Sequence, residues 1–165
     1  MLSPRIIAIS AIFAAFTTIG AWITIPTFYV PFTLQTLFVY LSVLILRKYA
    51  FLSQGIYILL GLIGLPVFAM GKPGYLALIG PTGGYIIGFF FGSFAGFLKR
   101  DVISVFVCMT TIFFLGWLWL SYWIGFYQAF FIGVIPFIPW DILKAVLALL
   151  IFKKYSKFTK IISFS

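Results

Sequence analysis

Asp141 and Lys144 are the residues of this 165-residue chain whose types and spacing most plainly invite chemistry. They stand three apart in Pro139-Trp140-Asp141-Ile142-Leu143-Lys144, a spacing that puts two side chains on one helix face. The surrounding run is apolar, and an ionisable residue near the centre of a membrane span costs roughly 2.5–3.5 kcal/mol on the insertion scale. A helix N-terminus eases the acid, and the acid eases the lysine. Two roles stay open: a structural ion pair that locks the last helix, or a matched acceptor and donor for a polar ligand. Charge inside a membrane marks a functional site by default, and Asp141 is the only acid in any apolar run.

Two further motifs carry polar groups. In Pro31-Phe32-Thr33-Leu34-Gln35, Thr33 can donate or accept, and Gln35 offers one acceptor oxygen and two donors. A helix cap with an interhelical hydrogen bond is the plainer alternative. In Gly80-Pro81-Thr82-Gly83-Gly84-Tyr85, a glycine cluster lets backbone approach a ligand, and Tyr85 adds a flat apolar face with a hydroxyl. The segment lacks the spacing and the lysine of a phosphate-binding loop. Gly80, Gly84, Gly88, Gly92 and Gly96 recur every four residues, a stripe suited to close helix contact. The lower glycines are therefore read as packing, and Gly80 to Tyr85 as mixed. With no histidine and only Cys108, which sits in an apolar run, a metal site has no ligand set. No catalytic residue, metal or cofactor is expected.

The elements that hold these motifs follow from composition. Hydrophobic residues make up 64% of the chain and charged ones 8%, with a mean hydropathy of +1.24; soluble domains run at roughly 45–50% and about 25%. The apolar runs are continuous rather than alternating, which argues against a β-barrel. The expectation is an all-α integral membrane protein, one domain over 1–165, with six transmembrane helices near 5–23, 32–46, 50–65, 81–98, 102–124 and 139–152. The first is read as an uncleaved span rather than a signal peptide. The second and last are short for a crossing and suit a locally thin or oblique region. The net charge of +9 comes from basic residues between the runs, which points to headgroups and topology and not to nucleic acid.

Positive charge orients the chain. With a cytoplasmic N-terminus and six crossings, the inner side carries Arg5, Arg47, Lys48, Lys99, Arg100, Lys153, Lys154, Lys157 and Lys160. The outer loops keep only Lys72, and Lys144 lies within the last span. Both termini are expected in the cytoplasm. Spans two, four and six then start outside, with Pro31, Pro81 and Pro139 placed as first-turn residues. The three motifs converge on the outer third of the bilayer, walled by some of the aromatics Trp22, Phe28, Tyr29, Phe32, Phe68, Tyr75, Tyr85, Phe137 and Trp140.

Four segments in order give the chain a likeness over nearly its whole length: Ile25-Pro26 through Pro31-Phe32-Thr33-Leu34-Gln35-Thr36, Gly61 to Phe68, Gly80 to Tyr85, and Pro136-Phe137-Ile138-Pro139 with Asp141 and Lys144. In these it resembles the BioY family, the biotin-specific substrate-binding (S) components of energy-coupling-factor (ECF) importers. The resemblance implies a six-helix vitamin-binding bundle, multi-pass in the cell membrane, that works with a transmembrane coupling subunit and a pair of ATPases. No G-x-x-x-x-G-K-[ST] run is present, so ATP hydrolysis would fall to those partners. A small-residue A-x-x-x-A motif that faces the coupling subunit in this group is matched by Ala11 and Ala15, with Ala8 and Ala14 nearby; packing within the chain would use the same residues. Trp140 stands where such proteins often carry a small residue, which would narrow or cap the pocket. Lys72, in the loop Ala69 to Tyr75, is a further candidate contact.

Biotin presents a cyclic urea with two N–H donors and one carbonyl, an apolar sulfur ring and a carboxylate tail. On this reading Asp141 accepts from a urea N–H, while Lys144, Thr33 or Gln35 meets the remaining polar atoms. Tyr85 and neighbouring aromatics pack the ring. The carboxylate lies toward water, near Lys72 or the amides of Gly80, Gly83 and Gly84. The roles of Asp141 and Lys144 can be exchanged. A binder of thiamin, riboflavin or pantothenate on the same architecture is the nearest rival. An intramembrane enzyme, which would lack a histidine or paired acids, and a small channel or structural subunit stand further off.

Overall fold

Helices form where the apolar runs lie, and they end where proline, glycine or charge interrupts them. The structure, a computed structural model, describes residues 3–71 and 74–159, without the side chains of 156–159. Lys72 and Lys160 lie outside the described residues, as does the side chain of Lys157. Helix α1 (Pro4–Trp22) opens on Ser3, whose hydroxyl accepts from the Ile6 amide at 3.3 Å, with Pro4 in the first turn. Ser10, Phe13, Ala14 and Thr17 face the core from α1, while Ile7, Ala8, Ala11, Ile12, Ala15 and Phe16 face outward. Two short strands follow, β1 (Thr24–Ile25) and β2 (Phe32–Thr33), antiparallel with Thr24 opposite Thr33 and Ile25 opposite Phe32.

This hairpin returns the chain beside the end of α1, where the Leu34 amide donates to the Gly20 carbonyl at 3.0 Å. Helix α2 (Gln35–Leu46) runs through the middle of the molecule. Nine of its twelve residues are buried, so it is apolar nearly all round, as a helix enclosed by protein must be. A 3₁₀ turn (Arg47–Tyr49) connects it to α3 (Ala50–Leu62). Arg47 adopts φ 54°, ψ −126° and reverses the chain, because Gln35 then meets Tyr57 and Ser42 meets Gln54 in antiparallel register. The remaining helices are α4 (Gly74–Ile79), α5 (Gly83–Ser93, extended by a 3₁₀ segment Phe94–Phe97), α6 (Asp101–Ile124), α7 (Phe126–Gly133) and α8 (Phe137–Thr159).

The six expected spans correspond to α1, α2, α3, α5, α6 and α8, while α4 and α7 lie in stretches read as breaks. Two helix starts shift. Helix α2 begins at Gln35 and α5 at Gly83, so Pro31 and Pro81 belong to the approaches, and Thr33 sits on β2 rather than on a helix. Pro139 does lie in the first turn of α8. By length and apolarity, Pro4–Trp22, Gln35–Leu62 and Asp101–Ile124 suffice to cross a membrane, and α7 with α8, bent by 46°, makes a fourth such run. The second of these is the α2–α3 hairpin. The outer surface is rich in exposed Ile, Leu, Phe and Trp, an extent of apolar surface that suits lipid rather than water.

Contacts sort the helix termini into two ends. At one end, Trp22 Nε1 donates to the Pro66 carbonyl and Trp119 Nε1 to the Gly80 carbonyl, near the starts of α2, α5 and α8. At the other, the Arg47 guanidinium pairs with Asp101 and lies 5.5 Å over the Phe152 ring. The described start of α1 and the later part of α8 share this second end with Lys48, Lys99 and Arg100.

Candidate functional site

The buried ion pair and its hydrogen-bond partners gather at the first end, where α2, α8 and β2 meet. Asp141 and Lys144 lie on one face at the start of α8, and each is only 3% exposed. Lys144 Nζ is 2.9 Å from Asp141 Oδ1 and also donates to the Thr33 carbonyl at 3.0 Å. From α2, Thr36 Oγ1 donates to the same Asp141 oxygen at 2.5 Å and the Tyr40 hydroxyl at 3.3 Å. Phe32 stacks on Phe137, with centroids 4.2 Å apart and 16° between planes. That contact holds β2 against α8 and brings the Thr33 carbonyl within reach of the lysine.

A second chain of hydrogen bonds leads away from this pair. Thr33 Oγ1 donates to Gln35 Oε1 at 2.9 Å, Gln35 Nε2 donates to the Tyr57 hydroxyl at 2.5 Å, and Tyr57 donates to the Val67 carbonyl at 3.2 Å. Nearly every buried polar group here is thereby paired, as low-dielectric surroundings demand. The two chains join α2, α3, α8, β2 and the loop after α3 into one polar seam.

Beside the seam lies a part-enclosed chamber of about 70 Å³, smaller than the roughly 300–1,000 Å³ usual for ligand pockets, so a ligand would have to spread its walls. Thr33, Gln35, Thr36, Asp141 and Lys144 form its polar wall, joined by Thr82. Phe68, Tyr85, Ile86, Phe89, Ile112, Phe113 and Phe137 form the apolar remainder, with Val30, Pro31, Ala69, Met70 and Ala77 completing the lining. Such a cavity suits a ligand with one strongly hydrogen-bonding end and an apolar body.

The expected residues divide clearly. Asp141, Lys144, Thr33, Gln35 and Tyr85 meet at the chamber. The Tyr85 hydroxyl is engaged by the Gly133 carbonyl at 2.8 Å, so its ring is what borders the cavity. Gly80, Gly83 and Gly84 do not line it. Gly84 lies against Trp119 and Leu115 of α6, Gly83 against the Leu78 carbonyl, and the Gly80 carbonyl accepts from Trp119. The stripe continues with Gly88 against Ile112 and Gly92 against Cys108, so it is α6 that requires these positions to lack a side chain. Trp140 is half-buried on another face of α8, in a groove with Ile25, Phe32, Pro139 and Leu143, and does not cap the chamber. Ala11 and Ala15 are exposed on α1, with Ala14 turned inward. Thr36, Tyr40 and Tyr57 were not singled out from the sequence. The available signal was a file of hydroxyl-bearing residues one turn apart on an otherwise apolar helix, Thr36 and Tyr40 being four apart.

A bundle of apolar helices with a polar-walled chamber at one end has the form of a membrane-embedded binding protein. The fold matches the crystal structure of the S-component for biotin from an ECF-type ABC transporter, with a TM-score of 0.82, 29% identity and 95% of each chain covered. The chain belongs to the BioY family, whose model matches residues 1–161; this is a family of transport components, not of enzymes. Among its relatives, the probable biotin transporter BioY of Pyrococcus horikoshii is 41% identical over 91% of this chain and 95% of its own length. The biotin transporter BioY of Thermotoga maritima is 40% identical over 90% and 94%.

Proposed function

We propose that this chain captures biotin from the outer face of the cell membrane as the S component of an ECF-type, ATP-driven importer. The observation that carries the reading is the Asp141–Lys144 pair, almost wholly buried, pinned from α2 and β2, and still bordering a chamber. A pair kept only to lock α8 gains nothing from bordering a cavity. Biotin supplies the matching groups: a urea N–H for the free side of the carboxylate and a urea carbonyl for the remaining N–H of Lys144. Each urea group left unpaired in such a site would cost about 1–3 kcal/mol. The ring system lies against Tyr85, Phe89 and Phe113, and the carboxylate tail points to the mouth. The names borne by the relatives support the same ligand.

The importer context adds three parts. Six crossings place both termini in the cytoplasm and the chamber end outside, in accord with the basic residues at the opposite end. Ala11 and Ala15 form the small-residue face of α1 that meets the transmembrane coupling subunit. Partner ATPases supply the energy. The deciding experiment is purification in detergent, with release and quantitation of bound biotin followed by titration with labelled biotin. Bound biotin that thiamin, riboflavin and pantothenate fail to displace supports the reading; absence of both co-purified biotin and binding of added biotin overturns it.

A further inference from the structure

We infer that Tyr40 is a positioning residue for the ligand site: a phenol shut behind Asp141 that fixes the orientation of its carboxylate, with one oxygen anchored and the other left for the ligand. The inference rests on the biotin reading of Asp141 and deepens it. Tyr40 is 0% exposed and is absent from the chamber lining, although its neighbour one turn earlier on α2, Thr36, belongs to that lining. Its ring is part of the core of the bundle, a place that phenylalanine would fill equally well. The hydroxyl is the part that needs explaining, and it is directed at Asp141 Oδ1.

A carboxylate offers two oxygens with about four lone-pair sites. Here Thr36 at 2.5 Å, Lys144 at 2.9 Å and Tyr40 at 3.3 Å all fall on Oδ1. Among the described residues no donor reaches Oδ2. The terminal torsion of an aspartate is soft, so the plane of the carboxylate can turn, and Lys144, on the same helix with a flexible stem, can follow it. The α2 donors cannot follow, since they reach across from a different, largely enclosed helix. They anchor Oδ1 and leave Oδ2 as the acceptor offered to a ligand N–H. Thr36 does this from the wall, where it also touches the ligand space. Tyr40 does it from behind, and acts only through Asp141.

The test compares Tyr40→Phe, Asp141→Asn and the double variant with the unchanged protein in detergent, measuring the biotin Kd and the melting temperature. Tyr40→Phe should weaken biotin binding roughly 10- to 150-fold, the effect of one hydrogen bond to a charged group, with little change in melting temperature. In the Asp141→Asn background the same substitution should change the Kd less than about two-fold, because coupled residues are not additive. Asp101 and Asp141 are the only carboxylate side chains, so infrared bands of ¹³C-labelled aspartate give a second readout. The Asp141 band should shift in Tyr40→Phe before any ligand is added. An equal loss of affinity in both backgrounds, an unshifted band, or failure of Tyr40→Phe to fold overturns the inference, since the hydroxyl would then be serving the bundle. If the unchanged protein binds biotin and only these Tyr40 effects are missing, the biotin reading stands; if the unchanged protein binds none, both fall.

Discussion

Asp141 and Lys144 are worth less to stability than their closeness suggests, because removing two charges from water offsets most of their attraction. Replacing both by apolar residues of similar size is often neutral, whereas removing one partner of a buried pair costs about 3–5 kcal/mol. This separates a structural pair from a binding pair. Lys144→Met should lower the melting temperature sharply and reduce the yield of folded protein. Asp141→Leu combined with Lys144→Met should recover most of that loss yet weaken biotin binding by more than about 100-fold, given that a truncated buried charge–ligand contact costs several kcal/mol. A double variant that binds biotin like the parent would reduce the pair to a helix lock. These two residues were legible in the sequence because a charge cannot be concealed in an apolar run. Thr36, Tyr40 and Tyr57 were not, since threonine and tyrosine are ordinary in such helices and only the partner across the interface shows what each hydroxyl does. The glycines were ambiguous for a related reason: a missing side chain looks the same in sequence whether a ligand or Trp119 fills the space.

Helix boundaries follow the same logic one level up. Helix α2 has twelve residues and α3 thirteen, about 18–20 Å at 1.5 Å per residue and short of a hydrocarbon core of roughly 30 Å. Helix α2 is largely enclosed by its neighbours, whereas α3 exposes Leu59 and Leu62 toward its end, so a short helix here suits an oblique or locally thin crossing. The sequence showed the order of the apolar runs while placing two of their starts, those of α2 and α5, too early. Pro31 and Pro81 signal an approach to a helix as readily as its first turn, and α4 and α7, at six and eight residues, hide among glycine and proline. Helix α1 was the ambiguous case, because alanines four apart serve either an internal or an external contact. Its inward face is built from Ser10, Phe13, Ala14 and Thr17, and Ala11 and Ala15 lie outside the bundle. Large residues there should leave the fold undisturbed. Ala11→Trp with Ala15→Trp is expected to keep the melting temperature and biotin affinity of the parent while losing co-purification with a co-expressed ECF coupling subunit. Retained assembly together with lost biotin binding would place those alanines in internal packing.

Across the whole molecule, the chamber and the basic residues occupy opposite ends. Arg47 binds the second end together, through its pairing with Asp101, its place over Phe152 and the close approach of Gly96 to its carbonyl. Lys48, Lys99 and Arg100 surround it, while among the described basic residues only Lys144 belongs to the chamber end. A bundle this asymmetric in charge has one favoured orientation, since cationic loops are retained on the cytoplasmic side. The orientation also sets which compartment fills the chamber, so it can be tested without reference to any ligand. Cys108 is fully buried and leaves a silent background for thiol labelling. Phe28, 93% exposed in the loop between β1 and β2, and Lys99, exposed before α6, lie at opposite ends. With a membrane-impermeant maleimide on intact cells, Phe28→Cys should label at once and Lys99→Cys only after the cells are permeabilised. The reverse pattern would turn the chamber inward and reassign the protein from capture outside to binding within.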